Sequence, residues 1–226
     1  MMFVNGGRFL IYCGMIISFM GGESLKVQFG DIVIAYNPIS KNSKLKATSF
    51  GSDIVLTSLD HEDMNGVENA SRGDKAPFAI SGPGEYEVKG VYVKGYPSES
   101  NYGGKTRLNT IYTVALEGMN LCFLGALSNT QLPHDIAEDL EDVDILFVPI
   151  GGEGVLSAAE AQKISVQIEP RIIVPIHYGS LGAEGALKNF IKEAGGEAPE
   201  TLDKLTIKKK DLEGKEGEIV VLNPTS

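Results

Sequence analysis

The chain has 226 residues, 42% hydrophobic, 22% charged and 27 of them glycine, enough to bury one sizeable core and suited to many short strands joined by tight turns. A formal net charge of −10, with no basic stretch beyond Lys208-Lys209-Lys210, argues against nucleic-acid and anionic-membrane partners, because polyanions are held by a basic face that releases their counterions. The two cysteines, Cys13 and Cys122, form neither a disulfide framework nor a zinc knuckle; they read as buried free thiols of a cytoplasmic protein.

At the start, Arg8 and the apolar run 9–17 have the charged opening and apolar stretch of a signal peptide. No A-x-A-like cleavage site follows, and the run is too short to span a bilayer. Residues 1–14 are therefore read as an N-terminal extension and 15–226 as a single domain, opening with a core strand at 15–19. Residues 25–29 alternate apolar and polar, Gly30-Asp31 turns the chain, and Ile32-Val33-Ile34-Ala35-Tyr36 completes a hairpin. A Lys/Ser/Asn-rich loop leads to Ile54-Val55-Leu56-Thr57, whose continuous apolar character is that of a strand buried on both faces. After the polar segment 58–65, short strands at 78–80, 86–88 and 91–93 form a meander. A glycine-rich loop (98–107) follows, then a hairpin of 110–116 and 120–124 turned at Glu117-Gly118.

The second half alternates helices with buried strands. Pro133 opens a short helix, 143–148 is a core strand, and Ser157-Ala158-Ala159-Glu160 is a capping box starting a helix to about residue 168. A strand at 171–176, a helix at 184–194 closed by Gly195-Gly196, and closing strands near 204–208 and 218–222 complete the chain. Hairpins followed by strand–helix–strand units predict a mixed α/β (α+β) fold, a four-layer αββα sandwich of two mixed sheets with helices outside. Sites in such folds form where loops leave the ends of core strands, which directs attention to loops 58–65, 96–108, 125–132 and 177–183.

Loop 58–65 reads Ser58-Leu59-Asp60-His61-Glu62-Asp63-Met64-Asn65 directly after a buried strand, and here the chain resembles the metallo-β-lactamase superfamily, whose hydrolases carry H-x-H-x-D-H in this loop. Gly82-Pro83-Gly84-Glu85-Tyr86-Glu87-Val88, Asn109-Thr110-Ile111-Tyr112, Leu124-Gly125, the run 144–152 and Pro175-Ile176-His177-Tyr178 are similar, in order, to segments of its metal-dependent hydrolase branch, the one that includes L-ascorbate-6-phosphate lactonase. The resemblance covers about residues 15–180. It implies a metallo-β-lactamase-like fold and ancestry among enzymes that place two divalent ions around a shared water, lowering its pKa and polarising the bond to be cleaved.

Of seven ligand positions that the resemblance implies, three are kept: His61, Asp63 and His177. Leu59 and Met64 stand at the first and third histidines of the loop motif, Ser100 where the branch has a histidine, and Ala126 where it has a bridging aspartate. The family's Gly-His-Ser segment appears as Gly21-Gly22-Glu23 and its Asp-Pro as Asn37-Pro38. His61 would serve one metal, Asp63 and His177 the other, so neither keeps the three protein ligands of a catalytic zinc site. The resulting expectation is a degenerate site on a non-catalytic or vestigial hydrolase fold with a retained cleft for a small molecule, no cofactor, and self-association as in relatives. The alternative is an active hydrolase of phosphodiester or lactone substrates. It would use one weakly bound zinc or manganese on His61, Asp63 and His177, with Asp63 also catalytic and Asp60, Glu62 or Glu99 assisting. A metal-free enzyme reusing the cleft, with Ser100 or Ser128 beside His177, is a third possibility; Cys122, inside a strand, is a poor nucleophile. Simple structural roles compete at each survivor: Asp63 as a turn-fixing cap, His177 as a satisfied half-buried histidine, His61 as a solvated one. His134 is expected to be exposed, and the acidic run 138–144 to form a solvated helix face.

Overall fold

The computed structural model describes residues 14–197 and 199–225. Cys13 and most of the signal-peptide-like segment lie outside the described residues.

β1 (Met15–Gly21) buries alternate residues, Met15, Ile17 and Phe19, as a strand with one face on a core does. It pairs antiparallel with β2 (Ser24–Phe29), and the Gly30-Asp31 turn carries β2 into β3 (Ile32–Tyr36) with Phe29 opposite Ile32. β4 (Ile54–Leu56) and β5 (Phe78–Ile80) add in parallel. β6 (Gly84–Val88), β7 (Val91–Ser100), β8 (Arg107–Leu116) and β9 (Met119–Phe123) form an antiparallel meander. Helix α1 (His134–Asp139), β10 (Ile145–Pro149), α2 (Ala158–Ile168), β11 (Ile172–Ile176) and α3 (Ala186–Glu193) follow, and β9, β10 and β11 run parallel. β12 (Thr201–Leu202), β13 (Leu205–Ile207), β14 (Glu218–Ile219) and β15 (Val221–Leu222) end the chain.

One mixed sheet has the order β13-β1-β2-β3-β4-β5 and the other β14-β11-β10-β9-β8-β7-β6, with β12 and β15 paired separately. Their inner faces meet through a continuous apolar core in which Tyr36 of the first sheet packs 5.1 Å from Phe123 and 5.8 Å from Phe147 of the second. Ile136 and Leu140 of the α1 region, Ala161 and Ile164 of α2 and Phe190 of α3 join the same core from outside the second sheet. The outward residues of β3 and β4, Ala35 and Val55, pack with Phe50 and with Val67 and Ala70 of a 3-10 turn, which is the helical cover of that face among the described residues. The expected sandwich of two mixed sheets is therefore present. Ser157 caps α2 as its sequence predicts: its Oγ accepts from the Glu160 amide at 3.4 Å while Glu160 Oε2 accepts from the Ser157 amide at 2.9 Å.

Three expectations are corrected. β7 does not stop at Val93 but continues to Ser100, because β8 pairs with it as far as Arg107, so the loop expected at 98–107 shrinks to 101–106. The closing strand expected at 218–222 is two strands pairing with different partners. Asp144 is not on a solvated face. It is 2% exposed and accepts hydrogen bonds from the Asn120 amide at 2.9 Å and Lys209 Nζ at 2.7 Å, with Arg171 Nε at 3.3 Å, so burial is offset by paired donors. The rest of the acidic run, Glu138, Asp139, Glu141 and Asp142, is exposed as expected.

Candidate functional site

The ends of four core strands deliver polar side chains to one edge of the sandwich. Glu23 lies in the β1–β2 turn, Asn37 follows β3, Ser58 follows β4 and His177 follows β11, and all four are buried. His177 leaves its strand in the left-handed region, φ 60°, and its amide donates to Gly22 O at 2.7 Å. That kink brings its Nδ1 to 2.7 Å from Glu23 Oε1. Glu23 Oε2 accepts from Asn37 Nδ2 at 2.8 Å; the same amide group also donates to Ser58 Oγ, and Asn37 Oδ1 accepts from the Ser58 backbone amide at 2.7 Å. Every polar atom named here is satisfied by a partner from another strand end, which is how such groups are tolerated in an apolar interior. The exception is His177 Nε2, which is buried with no hydrogen-bond partner. A carboxylate partner calls for a proton on Nδ1, and in the neutral ring Nε2 is then an acceptor.

Two glycines let backbone close on this network. A Cβ at Gly151 would stand 2.4 Å from His177 O and 2.5 Å from its Cδ2, and one at Gly125 would stand 2.4 Å from the Ser58 side chain. Asn109 fixes the neighbouring turn, donating to Leu124 O at 2.9 Å and accepting from the Ala126 amide at 3.0 Å.

Loop 58–65 forms the second half of the site. His61 Nδ1 accepts from the Asp63 amide at 3.2 Å, so its 3.3 Å approach to Asp63 Oδ2 is proximity rather than an ion pair. Asp63 is 9% exposed and both carboxylate oxygens are engaged, Oδ1 by the Ser43 hydroxyl and Oδ2 by the Tyr102 phenol at 2.7 Å. The Tyr102 ring packs edge-on to two imidazoles, with centroids 4.9 Å from His61 and 5.2 Å from His177. Burial, then the bond to Asp63, pushes the Tyr102 phenol well above its ordinary pKa, so it stays a donor. Leu59, Met64 and Ala126 are buried together with Val155 in one apolar cluster, and Tyr102 packs against it. Ser100 is also fully buried, its Oγ accepting from the Tyr102 amide at 3.2 Å.

His61, Asp63 and His177 are thus linked through Tyr102. Among the described residues no group of three or more His, Cys, Asp or Glu side chains gathers as a cluster able to hold a metal ion. Asp60, Glu62 and Glu99 are exposed. Ser128 bonds to Glu99 O, not to His177, and burial pushes the Cys122 thiol upward, away from reactivity. His177 is 0% exposed rather than half-buried, because the Glu23 carboxylate makes complete burial of Nδ1 tolerable. His134 is exposed, as expected, with Nε2 3.3 Å from Glu138.

Residues 16–177 match a protein family described as the β-lactamase superfamily domain. The chain belongs to that family. A UPF0173 metal-dependent hydrolase of Natranaerobius thermophilus is 23% identical over 189 residues, covering 74% of this chain and 84% of the relative. A UPF0173 protein of Pyrococcus abyssi is 51% identical over a shorter stretch of 51 residues, 23% of this chain and 24% of the relative. Among solved structures, a Thermotoga maritima member of the metallo-β-lactamase superfamily superposes with a TM-score of 0.73 at 24% identity, covering 92% of this chain and 98% of that one. Igni18, a metallo hydrolase from Ignicoccus hospitalis, gives 0.62 at 17% identity over 94% of this chain and 96% of that one. These likenesses agree in fold with the two mixed sheets described above.

The sequence placed Glu23 and Asn37 in family segments and Ser58 in the motif loop, but assigned no role to them or to Tyr102. A signal for two of them was present. Glu23 and Asn37 both stand at departures from family segments, and in the structure they are hydrogen-bonded to each other. Tyr102 lies in loop 96–108, which the sequence marks as site-forming, but outside every family segment.

Proposed function

We propose that this chain is a non-catalytic superfamily member in which the ancestral metal centre has given way to a packed, hydrogen-bonded cleft retained for binding a small molecule. The observation that carries the reading is that Leu59, Met64 and Ala126, which stand where the family resemblance expects ligands, are buried in one apolar cluster with Val155, with Tyr102 against it. Leu and Ala offer no lone pair, and a thioether is a poor ligand for zinc or manganese. Both Asp63 oxygens accept protein protons, and the Tyr102 ring packs against both imidazoles, so of the three retained donors only His177 keeps a buried nitrogen without a partner, Nε2. A dinuclear centre does not fit these side chains.

A second reading is a metal-dependent hydrolase acting on a phosphodiester or lactone through a single zinc or manganese on His61, Asp63 and His177, with Asp63 also catalytic. The unpartnered Nε2 of His177 favours it, as does the description of the Natranaerobius thermophilus relative as a metal-dependent hydrolase. Hydrolysis assays with phosphodiester and lactone substrates in added zinc or manganese separate the two. The proposed reading expects no turnover above buffer; metal-dependent turnover lost in His61→Ala would overturn it.

A further inference from the structure

We propose that the chain carries a second small-molecule site, at the sheet edge opposite the cleft, and that its ligand is a linear aliphatic diamine or polyamine. β9, β10, β11 and β14 run parallel, so this part of the second sheet has two unlike ends. His177 follows one end of β11 and Arg171 precedes the other, which sets them about 20 Å apart at the rise of an extended strand. At the Arg171 end a cavity of about 790 Å³ opens between the starts of these strands and the C-terminal half of α2. Small-ligand sites have volumes of this order, about 300–1,000 Å³.

Its lining is rich in acceptors. Gln162 Oε1 is buried and has no hydrogen-bond partner among the described residues, and a buried acceptor left open calls for a donor. Ser165 lies three positions further along the same helix face. Its hydroxyl donates to Ala161 O at 2.8 Å, so its oxygen has only lone pairs to offer. The charges run in the same sense. Each cation of the lining already has a carboxylate: Lys209 and Arg171 share the buried Asp144, and Lys215 pairs with Glu218. Glu141, Asp142, Glu169 and Glu216 are exposed around the cavity and take part in no ion pair among the described residues. Between acceptors and carboxylates the walls are apolar, with Val143 and Ile173 buried and Val166 61% exposed. An ammonium group gives Gln162 Oε1 a charge-assisted bond, a methylene chain covers Val166, and a second ammonium meets the rim carboxylates. An anion, by contrast, would have to take Lys209 and Arg171 from Asp144, losing a bond for each one it gained.

The test is a titration of spermidine, cadaverine, pentanediol and inorganic phosphate into the full chain at low salt, followed through backbone amide resonances. Spermidine, and more weakly cadaverine, should shift the amides of Gln162, Ser165 and Val166; pentanediol and phosphate should not. Gln162→Met should weaken spermidine binding about tenfold or more, because a hydrogen bond to a charged group is lost. Gln162→Glu keeps the acceptor and adds a charge, so it should bind at least as tightly as wild type. Glu169→Gln, an exposed change that leaves the fold untouched, should weaken binding about two- to fivefold, while Glu99→Gln at the cleft edge should leave it unchanged. Should the Gln162 variants not fold, the comparison of Glu169→Gln with Glu99→Gln decides. No shift at these amides with spermidine overturns the proposal, as does phosphate shifting them instead. Equal weakening by Glu169→Gln and Glu99→Gln also overturns it, since that is diffuse attraction to an acidic chain rather than a site.

Discussion

Replacing Glu23 by alanine removes the acceptor shared by His177 and Asn37. Glu23 and His177 are both 0% exposed, 154 positions apart in sequence and 2.7 Å apart in space, and the second carboxylate oxygen holds Asn37 at 2.8 Å. Losing that acceptor leaves two buried donors short of a partner, His177 Nδ1–H and one Asn37 N–H, at about 1–3 kcal/mol each, so about 2–6 kcal/mol together. In a chain of this size roughly 1 kcal/mol moves Tm by about 2–4 °C, so Glu23→Ala should melt roughly 4–24 °C below wild type. Glu23→Gln is the subtler case. Its single carbonyl can serve only one of two donors, and its NH2 then faces the other. Asn37 cannot flip to relieve the conflict, because its Oδ1 already accepts from the Ser58 amide. That places Glu23→Gln about 1–3 kcal/mol below wild type. Urea unfolding should give the order wild type, Glu23→Gln, Glu23→Ala with unchanged m, and a cycle with His177→Ala should return a coupling of about 1–3 kcal/mol. A Glu23→Ala protein within about 0.5 kcal/mol of wild type, the range of an inconsequential surface change, would refute the reasoning.

Met64→Ala should lose about 2–5 kcal/mol in chemical denaturation, as deletion of a fully buried side chain does; a neutral result would mean the cluster is not packed. Tyr102→Phe keeps the ring but strands Asp63 Oδ2, and should cost about 1–2 kcal/mol by the same measurement. Burial pushes the Tyr178 phenol up to about 12. A raised folded value means that its contribution is fully present below the unfolded pKa of about 10 and lost as pH rises from there to the folded value. Stability measured across that window should fall by about 2–3 kcal/mol from this residue, and Tyr178→Phe should flatten the fall while losing about 1 kcal/mol near neutrality with the Leu222 bond.

The strands were legible where a simple pattern met a simple environment. Residues 25–29 alternate because β2 turns Leu25 and Val27 into the core, and 54–56 are uniformly apolar because β4 is covered on both faces. The Ser157–Glu160 box is a local device, and it is present. Legibility failed where pairing with a distant segment decided the outcome. Pro97 and Ser98 look like loop residues, yet β8 supplies their pairing partners. Asp144 looks solvated until Lys209 and Arg171 arrive from far along the chain. At the site, the positions of Leu59, Met64, Ala126 and His177 came from a family pattern, while what fills the space between them did not. Glu23 and His177 pair across 154 positions, and Tyr102 is a single aromatic residue in a glycine loop. No local spacing encodes either.

The most direct measurement is elemental analysis of the protein purified with zinc or manganese present, alongside thermal unfolding with and without chelator. Metal well below one ion per chain, and a Tm indifferent to chelator, are expected of a cleft held together by Glu23, Asn37, His177 and Tyr102. One bound ion per chain that is lost in His61→Ala, with a Tm that falls on chelation, would contradict it.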